Sequence, residues 1–270
     1  MSAAFSLTRR QFGRAAVAGF ATLAAASAGR AAPAAPRPRV AAIFTELRLR
    51  SHAYNILENF FKPYLFCGQL VDPGCEVVSF YADQFPDNDM ARSVSKQLEV
   101  PLFPSIDKAL GLGGDRLAVD AVLIIGEHGD YPTNELGQQM YPRKEFFDQA
   151  LAVMRRSDRF VPVFNDKHLS YRWDWAKQMY DASRQYRFPL MAGSSVPLAE
   201  RRPPLALPLG VEMTSAVAVH SGGNESYGYH GLELLQSFVE ARRGGETGIA
   251  QVESLDRQAL LRAADQGRWS

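Results

Sequence analysis

The sequence of 270 residues lacks a charge excess of either sign, is poor in cysteine and has no hydrophobic run of transmembrane length. Its 30 Lys and Arg residues nearly balance its 29 Asp and Glu residues, which gives a formal net charge of +1. A near-neutral chain of mixed charges is not typical of a nucleic-acid binder, so we expect no nucleic-acid partner. The absence of a long apolar run predicts no stable membrane anchor.

The two cysteines, Cys67 and Cys75, leave two interpretations open. They can pair across a loop in an oxidising compartment, or Cys67 can lie at the buried end of a helix. The spacing alone does not decide between these interpretations.

The first residues have the pattern of an export signal. Thr8-Arg9-Arg10-Gln11-Phe12 resembles the twin-arginine signal, and an alanine-rich stretch follows that ends in Ala26-Ser27-Ala28, an A-x-A cleavage pattern. We therefore predict a signal peptide over 1–28 and a Pro/Ala linker over 29–38. These predictions imply that the twin-arginine export machinery is a partner and that the protein is periplasmic or extracellular.

From residue 39 onward, strand and helix patterns alternate. Short apolar runs predict strands at 40–44, 76–82, 118–126, 159–164 and 188–193, and segments of helical periodicity lie between them. This alternation predicts an α/β fold with a Rossmann-like, doubly wound, mostly parallel sheet over 39–193. Residues 194–270 are expected to form a short or incomplete C-terminal α+β segment, a partial second domain.

Ligands of such sheets bind at the carboxyl ends of the strands, which directs attention to the loops that follow them. The first of these turns, Thr45 to Arg50, contains no glycine. The side chains in these loops that could contact a dinucleotide are Thr45, Arg48, Ser51, Asp83, Glu127 and His128. Arg48 can contact a phosphate by charge, and Asp83, after the second strand, is placed to bind a ribose.

Two further loops are rich in groups that carry chemistry. One contains Glu127, His128 and Asp130, and the other contains Asp166, Lys167 and His168. These residues could ligate a divalent metal, could act as acid and base on a hydroxyl, or could form a surface salt-bridge network. No pattern reproduces a complete metal motif, so no metal ligand is assigned.

Two motifs resemble those of the Gfo/Idh/MocA oxidoreductases. In that family, a strand that ends in Glu-Lys-Pro is followed by a helix and then by another strand. The same order occurs here as FNDKHLS, a helix and LMAGSS, and Lys167 occupies the position of the family's lysine. Further on, YGYHGLELLQSFVE matches an H-x-x-D motif, with His230 on the histidine and Glu233 in place of the aspartate. Asp166 and His168 depart from the Glu and Pro of the first motif.

The resemblance implies an NAD or NADP cofactor and a sugar or polyol as the small-molecule substrate. Lys167 would then position substrate and nicotinamide, and His230, with Glu233 on the same helix face, would exchange the hydroxyl proton. A homo-oligomer is also compatible with the resemblance, because the family's second domain often mediates dimers. Only about 75 residues follow Gly193, so the chain is a fragment or its second domain is rudimentary.

Three functions remain open from the sequence. The first is an exported NAD(P)-dependent oxidoreductase-like protein that acts on a sugar or polyol. The second is a non-catalytic Rossmann scaffold that binds an extracytoplasmic ligand, which would account for the glycine-free turn and the short second domain. The third is a metal-dependent hydrolase or lyase that uses the acidic and histidine residues of the two loops.

Overall fold

Five parallel strands form the central sheet of the computed structural model, which describes residues 36–268. The predicted signal peptide and residues 29–35 of the predicted linker lie outside the described residues. The strands in chain order are β1 (Arg39–Phe44), β2 (Tyr64–Phe66), β3 (Gln69–Val71), β4 (Glu76–Ala82), β5 (Ala121–Ile125), β6 (Val163–Asp166) and β7 (Leu190–Gly193). The sheet order is β4-β1-β5-β6-β7, while β2 and β3 form a separate hairpin.

Helices cover both faces of the sheet. They are α1 (His52–Phe61), α2 (Ala91–Leu98), α3 (Ile106–Gly111), α4 (Arg143–Ser157), α5 (Trp173–Tyr186), α6 (Tyr229–Val239) and α7 (Arg257–Asp265). The predicted Rossmann-like, doubly wound fold is therefore confirmed, and every strand pair of the five-stranded sheet is parallel. Within the described part of the chain, no helix is both long and apolar enough to cross a membrane.

The alternation of side chains along β1 explains why this strand lies between two cores. Ala41 and Ile43 pack in a cluster with residues of α3, α4 and α5, whereas Val40, Ala42 and Phe44 pack in a cluster with residues of α1 and α2. A strand that is buried on both faces needs apolar residues at every position, which is what the sequence RVAAIF supplies after its first residue.

The sheet order places a crevice between β1 and β5. The strand that follows β1 in the sheet on one side is β4, and the strand on its other side is β5, which leads on to β6. The connections that leave β1 and β5 therefore run in opposite directions from the carboxyl edge. In doubly wound sheets this topological switch point is where ligands bind. The loops after β1, β5, β6 and β7 therefore define the candidate site.

Residues 194–268 contain little β structure. A short 3₁₀ turn (Val196–Leu198), a π turn (Asn224–Gly228), α6 and α7 account for its regular elements, and a single bridge joins Val211 to Arg242. The predicted domain boundary between residues 193 and 194 coincides with the end of β7 and stays a prediction.

Both cysteines are free. Cys67 is exposed at the turn of the β2–β3 hairpin, where its φ is 49°, and Cys75 is half-buried just before β4. The structure thus contains no Cys67–Cys75 disulfide, and the alternative interpretation of Cys67 as a buried helix end is wrong, because the chain turns back as a hairpin there.

We predict that Phe44→Ala lowers the free energy of unfolding by about 3–5 kcal/mol. Phe44 is fully buried at the end of β1 and packs edge-on against Phe80, with ring centroids 5.5 Å apart. Urea denaturation measures the loss. Leu49→Ala is the control, because Leu49 is 62% exposed and its truncation should change stability by less than about 0.5 kcal/mol. Equal effects of the two substitutions would contradict the packing described here.

Candidate active site at the carboxyl edge of the sheet

A buried ion pair lies at the centre of the carboxyl edge. Glu127 comes two residues after β5, and Lys167 comes directly after β6. The Lys167 Nζ donates to Glu127 Oε1 at 2.9 Å, and both side chains are largely shielded from solvent. Lys167 has a left-handed backbone (φ 61°), which is a costly conformation for a residue with a Cβ and is typical of functional sites.

Arg143 is a second cation on the same carboxylate. It is the first residue of α4, is fully buried, and donates from its guanidinium to Glu127 Oε2. Its Nε and Nη1 are buried without a hydrogen-bond partner among the described residues. A Cβ at Gly126 would lie 2.7 Å from Arg143 Cγ. Glycine at this position therefore leaves the space that the Arg143 side chain occupies.

Arg143 is not among the residues predicted from the sequence, although one signal for it exists. A cation in the first turn of a helix opposes the helix dipole, so an arginine there requires an anionic partner from elsewhere. That partner is Glu127. Burial alone would raise the pKa of the Glu127 carboxyl, but the positive charges of Arg143 and Lys167, with a smaller contribution from His52, hold it below its usual value.

His230, Glu233 and Ser194 form a second polar cluster. The Glu233 carboxylate is buried and accepts hydrogen bonds from the Ser194 backbone N–H (3.0 Å), the Ser194 hydroxyl and the Tyr229 hydroxyl (3.1 Å). The His230 Nδ1 lies 3.1 Å from Ser194 Oγ. Because the single hydroxyl proton of Ser194 goes to Glu233, Nδ1 must donate to Oγ, which leaves Nε2 of the neutral ring as a proton acceptor.

Lys167 and His230 come to the same side of the molecule. The Lys167 backbone N–H donates to Gly193 O at 3.1 Å, and Ser194, the partner of His230, follows Gly193. Burial and the positive charge of Lys167 lower the pKa of His230, against the opposing effect of Glu233. The two residues thus lie on neighbouring segments, and their joint action on one small molecule stays a prediction.

A cavity of about 90 Å³ lies beside the Lys167–Glu127 pair. It is lined by Glu127, Gln139, Tyr141, Lys167, His168, Glu225, Ser226 and Tyr229. The Gln139 backbone N–H donates to Glu225 Oε1 at 2.8 Å, which joins the loop after β5 to the π turn that precedes α6. Residues from the sheet and from the C-terminal segment therefore wall the same cavity.

The first turn is filled by its own side chains. Thr45 is fully buried and donates from its hydroxyl to Glu127 O at 2.6 Å, while the buried Glu46 accepts from Arg48 Nε at 2.5 Å. Ser51 caps α1 by accepting from the backbone N–H of Tyr54. In a Rossmann dinucleotide site this turn presents glycines and free backbone N–H groups to a pyrophosphate.

The residues of the first turn therefore do not fit a nicotinamide dinucleotide in the usual position. A buried carboxylate occupies the turn, and the predicted phosphate contact Arg48 is paired with that carboxylate. Like charges repel, so Glu46 would oppose a pyrophosphate. The cofactor contacts of Thr45, Arg48 and Ser51 stay predictions. They are disfavoured because each of these side chains already makes a hydrogen bond within the protein.

The other predicted cofactor contacts also have partners within the protein. The Asp83 carboxylate accepts from the hydroxyls of Tyr81 (2.8 Å) and Tyr131 (2.6 Å), so both of its oxygens are used. His128 has a left-handed backbone (φ 70°), and its ring packs edge-on at 5.2 Å from that of His52. Burial lowers the pKa of His128, and the positive charges of His52 and Arg48 add to this effect.

Two carboxylates of the two loops have partners other than a metal. Glu127 pairs with two cations, and Asp166 accepts from His52 Nδ1 at 2.6 Å. Among residues 36–268, no three His, Cys, Asp or Glu side chains are arranged as the ligands of a metal ion. This geometry gives the metal-dependent hypothesis no support.

The comparisons with known proteins add only distant structural likenesses. No protein-family model and no curated protein matches the sequence. Solved structures that share similarity include UDP-N-acetylglucosamine 3-dehydrogenase from Acidithiobacillus ferrooxidans (15% identity, TM-score 0.38) and apo scyllo-inositol dehydrogenase from Lactobacillus casei (12%, 0.39). A third is myo-inositol 2-dehydrogenase from Lactobacillus plantarum (14%, 0.36).

These matches cover 58%, 62% and 58% of this chain but only 38%, 38% and 36% of the respective dehydrogenases. The chain thus spans less than two fifths of the length of each of them. Likeness at this level carries no inference about activity, and the fold assignment rests on the strand order and pairing of the sheet itself.

We predict that His168 makes the protein less stable in mild acid. Burial lowers the pKa of His168 from 6.5 to about 4, with a further contribution from the charge of Arg143. The unfolded chain takes up a proton as the pH falls through 6.5, but the folded protein does not until about pH 4. The stability due to the neutral ring is therefore complete above pH 6.5 and falls by about 3 kcal/mol between pH 6.5 and 4.

Denaturation of His168→Gln across this pH range checks the prediction, because the variant should lose less stability than the wild type on acidification. His220→Gln changes an exposed histidine and serves as the control. An identical pH dependence for wild type and His168→Gln would show that His168 is not the group responsible.

Proposed function

We propose that the carboxyl-edge cavity binds a sugar or polyol and that the protein is an oxidoreductase-like member of the Gfo/Idh/MocA type. The observation that carries this proposal is that Lys167, paired with Glu127, lines the cavity, while His230, close to the buried carboxylate of Glu233, directly follows the lining residue Tyr229. Hydroxyl groups are small donors and acceptors that suit both residues.

The two residues have complementary parts in handling a hydroxyl. One of the three ammonium protons of Lys167 is used by Glu127, so two remain to hold a hydroxyl oxygen. His230 offers Nε2 as the acceptor of the hydroxyl proton, while Ser194 and Glu233 fix the ring through Nδ1. The lowered pKa of His230 keeps the imidazole neutral and able to accept that proton near pH 7.

A nicotinamide cofactor would supply the hydride acceptor of such a reaction when bound. Because the first turn does not fit its pyrophosphate, a second function is favoured by the same structure: a scaffold that binds its ligand without oxidising it. The two functions share the ligand site and differ only in whether NAD or NADP takes part.

We predict that the wild-type protein binds at least one of D-glucose and myo-inositol, chosen as a sugar and a cyclic polyol. Isothermal titration calorimetry should show binding weakened about tenfold by Lys167→Met and by His230→Asn, since each removes a hydrogen bond to the ligand. Lys167→Met leaves Glu127 paired with Arg143 and so should still fold. Lys177→Met, on the exposed face of α5, is the matched control and should bind as the wild type does.

The same samples distinguish the two functions. Release of NAD or NADP on denaturation, or reduction of added cofactor in the presence of the bound probe, would support the oxidoreductase. Binding of the probe without either result would support the scaffold. Failure of both probes to bind, or equal binding by Lys167→Met and wild type, would contradict the proposed site.

We also propose that the protein is exported through the twin-arginine pathway. The order of Arg9-Arg10, an apolar alanine-rich stretch and Ala26-Ser27-Ala28 supports this assignment. We predict that the double substitution Arg9→Lys, Arg10→Lys leaves the unprocessed chain in the cytoplasm, which cell fractionation and mass spectrometry of the mature N-terminus can measure. Arg14→Lys is the control, and unaffected export of the double variant would exclude this route.

A further inference from the structure

His52, which belongs to neither motif of the family resemblance, forms a dyad with Asp166, which replaces the glutamate of the first motif. His52 is the first residue of α1 and follows the first turn, whereas Asp166 is the last residue of β6. Because β5 separates β1 from β6 in the sheet, the contact spans the switch point. The His52 Nδ1 and Asp166 Oδ2 are 2.6 Å apart.

The Asp166 side chain is buried, whereas the His52 side chain is partly exposed to solvent. The Asp166 side chain is 5% exposed, and within the described chain its carboxylate makes its only hydrogen bond with His52. The His52 side chain is 27% exposed, so part of the ring faces the crevice. A carboxylate that is this deeply buried requires a hydrogen-bond donor, and His52 is that donor.

The hydrogen bond determines which ring nitrogen is basic. An ionised carboxylate only accepts hydrogen bonds, so Nδ1 carries the proton and Nε2 of the neutral ring is the acceptor. If Nε2 takes up a proton, the buried carboxylate stabilises the resulting imidazolium, as the aspartate of a hydrolase triad does for its histidine. Asp166 thus fixes the tautomer of His52.

The ring of His52 contacts the loop that supplies Glu127. It packs edge-on against the ring of His128, with the centroids 5.2 Å apart. His128 directly follows Glu127 in the loop after β5, so His52 lies against the loop that contributes the carboxylate of the Lys167–Glu127 pair.

We propose that His52, oriented by Asp166, is a second proton acceptor of the site, placed where a dinucleotide fold normally binds pyrophosphate. This inference rests on the proposed sugar or polyol ligand. His52 is here the alternative to His230 as acceptor: its Nε2 forms a bond to the proton of the hydroxyl that Lys167 holds, and the O–H bond breaks. The alkoxide left behind is stabilised by the Lys167 ammonium, and the imidazolium is stabilised by Asp166.

Nuclear magnetic resonance of protein labelled with ¹⁵N-histidine tests the dyad without any ligand. Above neutral pH, the shifts of His52 should show a protonated Nδ1 and an unprotonated Nε2, and Asp166→Asn should shift the population toward the opposite tautomer, because the amide can donate to Nδ1. A wild-type His52 protonated at Nε2 would overturn the inference, whatever the ligand proves to be.

Addition of D-glucose or myo-inositol then tests contact with the ligand. The bound probe should move the Nε2 resonance of His52, and His52→Asn should weaken binding about tenfold while the thermal unfolding midpoint stays close to that of the wild type. Asparagine keeps an N–H for Asp166 but has no counterpart of Nε2. His220→Asn is the matched control and should bind normally.

Two negative outcomes have different meanings. If a probe binds in a manner that depends on Lys167 but neither moves Nε2 of His52 nor weakens in His52→Asn, then His52 has a structural role only and this inference is overturned while the proposed function stands. If no probe binds, the proposed function fails and so does the proton transfer from a sugar or polyol, even where the tautomer is as expected.

Discussion

The carboxylate of Glu127, held between Arg143 and Lys167, is the interaction on which the candidate site depends. A buried anion with a single cation would be balanced, but this one has two cations, of which Arg143 is deeply buried and Lys167 reaches the cavity. Arg143 therefore provides the lasting charge compensation, and Lys167 can share its ammonium with a ligand without leaving Glu127 unpaired. Removal of one partner from a buried pair is far more costly than its net contribution to stability, so the loss of Arg143 should be the more damaging of the two changes.

The crevice combines a Rossmann-like sheet with a first turn that no longer suits a dinucleotide. Thr45, Glu46 and Ser51 use the space and the hydrogen-bonding groups that a glycine-rich turn would offer to a phosphate. Helix α1 begins with His52, whose ring forms a hydrogen bond with Asp166 at the end of β6. The Rossmann-like sheet thus has its usual ligand edge, while its first turn presents a buried carboxylate and a histidine in place of a phosphate-binding loop.

The fold and part of the site could be predicted from the sequence because they depend on local patterns. Runs such as AVLII and the helical spacing of Phe147, Leu151 and Met154 identified the elements, and the rule that ligands bind at strand ends selected Glu127, Lys167 and His168. Arg143 and the pairing of His52 with Asp166 were not predicted, because the partners are 16 and 114 residues apart and their contact depends on tertiary packing. Asp83 was interpreted as a ribose ligand, and its two tyrosine partners could not be anticipated from spacing.

The hydrogen bond between Gln139 and Glu225 has a consequence for how the cavity is assembled. The sheet and its helices are complete once the chain reaches Gly193, yet one wall of the cavity comes from residues 225–229. A nascent chain that has formed the sheet still presents an open, hydrated Lys167–Glu127 pair. In chain order the residues that enclose the pair follow the sheet, so the polar groups of the cavity can be desolvated only after the strands that orient them have been made.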